Sequence, residues 1–439
     1  MNWNEGVCLT GRTGAGKSSI LRILMNILLK AGCGCFWLCM KPDEADIAER
    51  TILNSGRGSS LIRFDPGDLL TFNPFTFEMG REGGSAVSLA NIYADINEVI
   101  VRPGREGETF WKVHENTCMT HGINVTHIAH RGHASTEALY QFLVSTPETV
   151  AQTHTTEFKA GKCWETILLA EKRVATHQEK RQLILASDYF LKQLPSAGEK
   201  ARGAILSGVL NSLIPFIMPP LSQMVNGEST FNPVDAVQNG RCIIGDYDLA
   251  TYGRQGLAHQ LLLSFILTEV TLRRRETSVP FVLVRDEYQL CAHPKRDVAA
   301  QTVARSQNLI SLAAFQTIPV LVDGLGGGIE AKTQAQALYA LHVNKFMCNN
   351  NCPETNETNA KIVGMKRRRF FSTSPNHQEN PLDVLGVGGI NISTSQQYHY
   401  IYPPLNFTRL RTGGKENNLQ VDAVFHDGRK HSVETFKQR

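Results

Sequence analysis

Gly11-Arg12-Thr13-Gly14-Ala15-Gly16-Lys17-Ser18 is the stretch that decides the fold of this 439-residue chain. It fits Gly-x-x-x-x-Gly-Lys-Ser/Thr, the pattern of a phosphate-binding loop. Before it, Gly6 to Thr10 reads as a short apolar strand. After it, Ser19 to Lys30 reads as a helix with an apolar stripe. A loop between a strand and a helix N-terminus turns backbone N–H groups and the helix dipole toward an anion. Gly11, Gly14 and Gly16 let the backbone curl around a phosphate without Cβ clashes. Lys17 would reach the β- and γ-phosphates, and Ser18 would hold Mg²⁺. Residues Gly11, Arg12, Thr13, Gly14, Ala15, Gly16, Lys17, Ser18 and Ser19 are therefore the expected contacts of ATP.

Hydrophobic residues make up 42% of the chain and the net charge is +4. That composition supports a sizeable core and does not by itself demand a nucleic-acid partner. No run of about 18 apolar residues encodes a transmembrane helix. Leu206 to Leu221 comes nearest, but Pro215, Pro219 and Pro220 make it a buried helix with a broken end. Met1 to Glu5 lacks the basic start and apolar core of a signal peptide. Of the ten cysteines, Cys33, Cys35 and Cys39 fall on one face of a strand-like run, and Cys348 and Cys352 bracket a run of Asn. No CxxC pair or His partner at finger spacing supports zinc, so reduced cytoplasmic thiols are expected.

Strands and helices alternate through residues 1–80, with strands near 34–40 and 60–64, which implies a parallel sheet. From 81 to 235 the pattern is helical: Val87 to Ile100, Phe110 to His121, Ser135 to Val144 and Trp164 to Leu191. Strand signals return at Cys242 to Asp246, Phe281 to Val284, Leu309 to Phe315 and His342 to Met347, with a long helix over about 256–275. The expected organisation is a discontinuous α/β nucleotide-binding domain (1–80 and 236–365) interrupted by an all-α insertion (81–235). Residues 366–439 are expected to be a mobile loop, 371–400, and a tail packing on the nucleotide-binding domain, with a strand near 419–425.

The second half of a nucleotide site is read at Phe281-Val-Leu-Val-Arg-Asp-Glu287, a hydrophobic strand ending in two carboxylates. Asp286 would bind Mg²⁺ in the manner of a Walker-B Asp, and Glu287 would orient the attacking water. Both motifs would meet at the C-terminal edge of the sheet, where α/β proteins bind ligands. Gln316, after the strand 309–315, would lie beside the γ-phosphate. Arg305, before that strand, could reach a neighbouring subunit's γ-phosphate in a ring.

The order of these features resembles the coupling ATPases of conjugation and type IV secretion, within the FtsK–HerA superfamily of DNA-pumping motors. The features are the loop at 11–18, Lys41-Pro-Asp-Glu-Ala45, Phe72-Asn-Pro-Phe75, the helical insertion with Phe110-Trp111, Gly240 to Ile244, Asp286-Glu287, Arg305 and Gln316. Asn351 to Thr355 with Gly364, and the tail Phe407 to Gly414, extend the likeness over nearly the whole chain. The resemblance implies a RecA-like P-loop NTPase sheet with an inserted all-α domain. It implies a homo-hexameric ring whose ATP hydrolysis moves DNA, or a DNA–relaxase substrate, toward a type IV secretion channel. It matches Lys17, Glu287, Arg305 and Gln316 to catalytic roles, with Arg305 acting in trans and Gln316 as sensor. Such proteins usually carry N-terminal transmembrane helices. Here the first loop glycine is residue 11, so membrane attachment is expected only through a missing segment or another protein, with the chain at the inner face of the bacterial membrane.

DNA contact would need Lys and Arg facing phosphates. Arg273 to Arg275 and Lys366 to Arg369 are the candidates. A packaging or secretion-channel ATPase, and a nucleotide-controlled docking module with slow turnover, are the competing readings.

Overall fold

The computed structural model describes residues 2–67, 70–102, 108–275, 278–375 and 390–438. Eleven strands are present among them: β1 (Val7–Thr10), β2 (Gly34–Leu38), β3 (Leu61–Phe64), β4 (Cys242–Gly245), β5 (Phe281–Arg285), β6 (Leu309–Phe315), β7 (Asn344–Met347), β8 (Met365–Pro375), β9 (Ile390–Tyr400), β10 (Gln420–His426) and β11 (His431–Lys437). Nine form one sheet in the order β11-β10-β7-β1-β6-β5-β2-β4-β3. Its seven strands from β7 to β3 are parallel, and β10 and β11 add an antiparallel edge.

Successive residues of the central strands feed two cores. Val7, Leu9, Val282 and Val284 pack with helix α1 (Lys17–Lys30) and helix α2 (Glu44–Asn54). Cys8, Phe281 and Leu283 face the other way, into a cluster continuous with the helices of residues 86–238. Strands buried on both faces read as near-continuous apolar runs, which is why they were legible.

The helical region contains α3 (Ala86–Val101), α4 (Glu108–His130) and α5 (Glu199–Ile217). The expected single helix over 164–191 is divided. One helix ends at Arg173, and the next, His177–Asp188, starts behind a Thr176–Glu179 capping box. Reciprocal side-chain bonds to the orphan N–H groups favour a new start there, and the apolar stripe alone does not reveal it. After β4, the kinked helix α6 (Leu249–Arg273) runs back beneath the sheet. The short α7 (Tyr288–Cys291) and α8 (Pro294–Val303) follow β5.

The expectation of a mobile loop over 371–400 is corrected. Residues 371–375 and 390–400 pair as parts of β8 and β9 in a two-stranded antiparallel ribbon, and 376–389 lie outside the described residues. Polar and charged residues make up most of these strands, and residues 366–373 and 392–398 are exposed, so no apolar alternation marks them. The tail contributes β10 to the main sheet, where Val424 and Phe407 share a small core with Met347. No helix among the described residues is long and apolar enough to cross a membrane.

Candidate nucleotide site

β1 is buried throughout and delivers the chain to Gly11 at the C-terminal edge of the sheet. A Cβ on Gly11 would lie 2.8 Å from Cys348 Cβ. Gly14 and Gly16 take positive φ, 76° and 88°, a region L side chains avoid. Gly16 is the N-cap of α1 and supplies no capping side chain. The first turn thus presents backbone N–H groups outward, as an anion site requires. Arg12, Thr13 and Gly14 are exposed at the loop tip, while Ala15 and Ser19 are buried.

Lys17 folds back over the loop, its Nζ donating to the carbonyls of Gly11 at 2.8 Å and Arg12 at 3.2 Å. Burial lowers its basicity, partly offset by Asp286 and Glu287.

β6 lies between β1 and β5, so the end of β6 falls between the loop and the two carboxylates. Gln316 sits there. Its carbonyl accepts from Gly11 N at 3.1 Å and from Asn350 Nδ2 at 3.1 Å. Its Nε2 lies 3.5 Å from Glu287 Oε2. Ser18 Oγ donates to Asp286 Oδ2 at 2.7 Å, which joins the two halves of the site directly. Glu287 adopts the left-handed region at φ 58°, a strained setting for a non-glycine residue. Gln289 Nε2 donates to Glu287 Oε2 at 2.7 Å. Burial pushes the Glu287 carboxyl up, but hydrogen bonds from Lys41 and Gln289 and the charge of Lys41 bring it below its ordinary value. It is therefore ionised at neutral pH.

Ser18 Oγ and Asp286 offer the hard oxygen donors that Mg²⁺ takes, with remaining positions left for water and phosphate. The fit is one hydroxyl and one carboxylate already in contact. Among the described residues no group of three or more His, Cys, Asp or Glu could hold a metal by itself. All ten cysteines are free, nine of them buried. Cys33, Cys35 and Cys39 share one core with Trp37.

Arg305 lies elsewhere. It is exposed in the turn after α8, at the opposite end of β6 from Gln316. It takes no part in this chain's own loop. Arg273 and Arg274, candidates for DNA, have internal partners: Arg273 pairs with Glu78 and Glu269, and Arg274 donates to the carbonyls of Val279 at 2.7 Å and Gln307 at 2.6 Å. Trp111 is partly exposed, whereas the side chain of Phe110 lies outside the described residues.

Several residues at the site were given no role by the sequence, although Lys41 stood in a quoted motif. Lys41, just past β2, forms ion pairs with Glu287 at 2.7 Å and Asp286 at 3.3 Å. Burial opposes its charge, but Asp286 and Glu287 outweigh that and raise its basicity. Lys41 reaches the carboxylates because it follows β2, the strand that pairs with β5. Asn349 accepts from Arg12 Nε at 2.8 Å and donates to the carbonyls of Thr408 and Leu410 at 2.9 and 2.7 Å, tying the loop to the tail. Val421 of β10 packs on Gly16, and Gln438 Nε2 reaches Ser19 Oγ at 3.3 Å.

Beneath the carboxylates, fully buried Arg285 donates to Asp297 at 2.5 Å and Ser311 at 2.8 Å. Arg102, at the end of α3, donates to the carbonyls of Ala292 at 2.9 Å, Gln289 at 3.3 Å and Leu290 at 3.4 Å.

No family model matches the chain, and no curated protein matches it. Solved structures do. The unbound bacterial conjugative coupling protein TrwBdeltaN70 aligns over 100% of this chain and 85% of its own, with TM-score 0.61 and 14% identity. Plasmid coupling protein TrwB in complex with the GTP analogue GDPNP aligns over 100% and 88%, with TM-score 0.61 and 15% identity. TrwB in complex with ADP and Mg²⁺ aligns over 100% and 86%, with TM-score 0.60 and 16% identity. At such identities it is backbone architecture that is shared: the chain has the α/β fold of the conjugative coupling protein TrwB.

Proposed function

We propose that this protein is an ATP-hydrolysing motor of the conjugative coupling type, which uses Mg²⁺-ATP to move DNA or a DNA–relaxase substrate toward a type IV secretion channel. The observation that carries this reading is the junction of Ser18 and Asp286 at 2.7 Å, with Glu287 placed beside it and Gln316. A loop, a metal-holding pair and an adjacent ionised carboxylate make up the machinery for giving γ-phosphate to water. Glu287 would orient that water and Lys17 would neutralise phosphate charge. Gln316, hydrogen-bonded to the loop through its backbone and to Glu287 through its side chain, would respond to the γ-phosphate. TrwB is known in complex with ADP and Mg²⁺ and with a non-hydrolysable ATP analogue, which supports the choice of ligand.

The exposed position of Arg305, away from its own loop, suits a role at a neighbour's site in a ring, six subunits being the number the coupling resemblance implies. Lys366, Arg367, Arg368 and Arg369, exposed on β8, offer a basic stripe for DNA phosphates, with Arg367 stacked over Tyr398 at 5.2 Å. Attachment at the inner face of a bacterial membrane would come from a further segment or another protein.

The test is the ATPase rate of wild type and Glu287→Gln, with and without single- and double-stranded DNA. DNA-stimulated turnover that drops by about a thousandfold in the variant is expected. Nucleotide binding without DNA-dependent turnover at any protein concentration would favour a docking module instead. Mixing Arg305→Ala with Asp286→Ala subunits should restore part of the lost activity, because each supplies what the other lacks.

A further inference from the structure

We infer that Lys41 is a resident counter-ion of the Asp286–Glu287 pair, which a divalent cation must displace before the site can work. The inference deepens the nucleotide reading above and shares its site.

Its basis is geometric. Lys41 Nζ lies 3.3 Å from Asp286 Oδ2, the same oxygen that accepts from Ser18 Oγ, and 2.7 Å from Glu287 Oε1. A single ammonium therefore spans the carboxylate that would hold the metal and the carboxylate that would hold the water. A cation bound between Ser18 and Asp286 would stand within a few ångströms of that ammonium. Like charges so close repel at the effective dielectric of a protein surface. Lys41 and the metal are thus alternatives at Asp286 Oδ2.

The loop carrying Lys41 is built to hold its backbone and free its side chain. Glu44, buried at the start of α2, accepts from Met40 N at 2.9 Å, Lys41 N at 3.4 Å and Trp37 Nε1 at 3.4 Å. The Lys41 side chain itself is 42% exposed, so its flexible stem can swing outward while the backbone stays in place. Lys17 Nζ is bonded to the carbonyls of Gly11 and Arg12, so Lys41 is the lysine paired with the two carboxylates.

Two consequences follow. With Lys41 in place, Glu287 is engaged on both oxygens, by Lys41 and by Gln289, and is a poor acceptor for water. Idle hydrolysis is thereby suppressed until metal arrives. The lysine also sets the metal concentration at which the site switches on.

Mn²⁺, read by electron paramagnetic resonance, tests this on the full chain without any turnover. Titrations are run without nucleotide and with ADP, for wild type, Lys41→Arg, Lys41→Gln and Lys41→Met. Both neutral variants should bind Mn²⁺ about tenfold more tightly than wild type in each condition, and Lys41→Arg should stay near wild type. Unchanged or weaker Mn²⁺ affinity in either neutral variant overturns the inference, since Lys41 would then be a spectator or a support of the metal site. The titration without ADP keeps the two readings apart. A wild type that never binds ADP defeats the nucleotide reading, whereas the counter-ion role is decided by Mn²⁺ alone.

Discussion

At the scale of single residues, the phosphate-binding loop is constrained from two sides. Gly16 needs φ near 88°, and its missing Cβ leaves room for Val421, whose methyl carbons would lie 2.6 Å from an added Cβ. Gly16→Ala should therefore lose about 1–2 kcal/mol from the left-handed backbone alone, with the overlap added to it. Adding Val421→Ala should recover the overlap but not the backbone cost. Thermal melts of the single and double variants check this, and a fluorescent-nucleotide titration should show that the double variant still binds more weakly than wild type. The conformational demand was legible in the sequence, because a Gly-x-x-x-x-Gly-Lys-Ser pattern already states it. The demand for a small residue against Val421 was not. It arises from β10, more than four hundred residues away along the chain.

At the scale of elements, the turn after β5 is where the helical region meets the chemistry. Arg102 at the end of α3 gathers three carbonyls of the segment 289–292, and Gln289 on that segment holds the Glu287 carboxylate. The strained φ of Glu287 is maintained by this clamp and by Glu287 N donating to Asp286 Oδ1 at 3.1 Å. Arg102→Met keeps much of the apolar stem and removes the donors. Turnover should fall by roughly ten- to a hundredfold while nucleotide affinity changes little, because small misplacement of a catalytic group is expensive and the loop itself is untouched. Steady-state kinetics beside equilibrium nucleotide binding separates the two effects. If both fall together, Arg102 supports the whole site and not the carboxylate. Nothing in the sequence around Arg102 marks this role. Its helix ends there in a left-handed residue, and the partners are supplied only by packing of α3 on α7 and α8.

At the scale of the whole molecule, a buried polar chain crosses the sheet beneath the site. Arg285 donates to Ser311, Ser311 meets His342 Nε2 at 3.0 Å, and His342 Nδ1 meets the Leu338 carbonyl at 2.9 Å. The Leu338 carbonyl accepts a proton from Nδ1, so in the neutral ring it is Nε2 that accepts from the Ser311 hydroxyl. Burial pushes His342 down to about 4, helped by the charge of Arg285 and opposed by the Leu338 hydrogen bond. Unfolded, the same ring titrates near 6.5. Between those values the unfolded chain binds the extra proton, so stability is present above about pH 6.5 and is lost as pH falls toward 4. His342 should contribute a slope of up to about 1.4 kcal/mol per pH unit in that window. Urea unfolding at pH 7, 6, 5 and 4 should show a shallower acid decline for His342→Gln than for wild type, whatever the variant's stability at pH 7. His259, also pushed down to about 4 by burial, should keep part of the slope in the variant.

The sequence by itself determined the parts whose chemistry is local. The loop 11–18 carries its own glycines, lysine and serine. β5 and β6 are apolar apart from Arg285 and Ser311 because both faces are covered. The order of these motifs was enough to expect a P-loop sheet with helices between its halves. Tertiary structure alone decided which residues complete the site. Lys41 meets Asp286 and Glu287 because β2 pairs with β5, and Asn349 meets Arg12 because β7 pairs with β1. Arg274 is buried and Arg273 pairs with Glu78 and Glu269, although their triplet was a candidate for DNA contact. The ribbon of β8 and β9 was illegible for a different reason. A strand with no buried face leaves no periodic mark, since side-chain burial, and not hydrogen bonding, is what writes period two into a sequence.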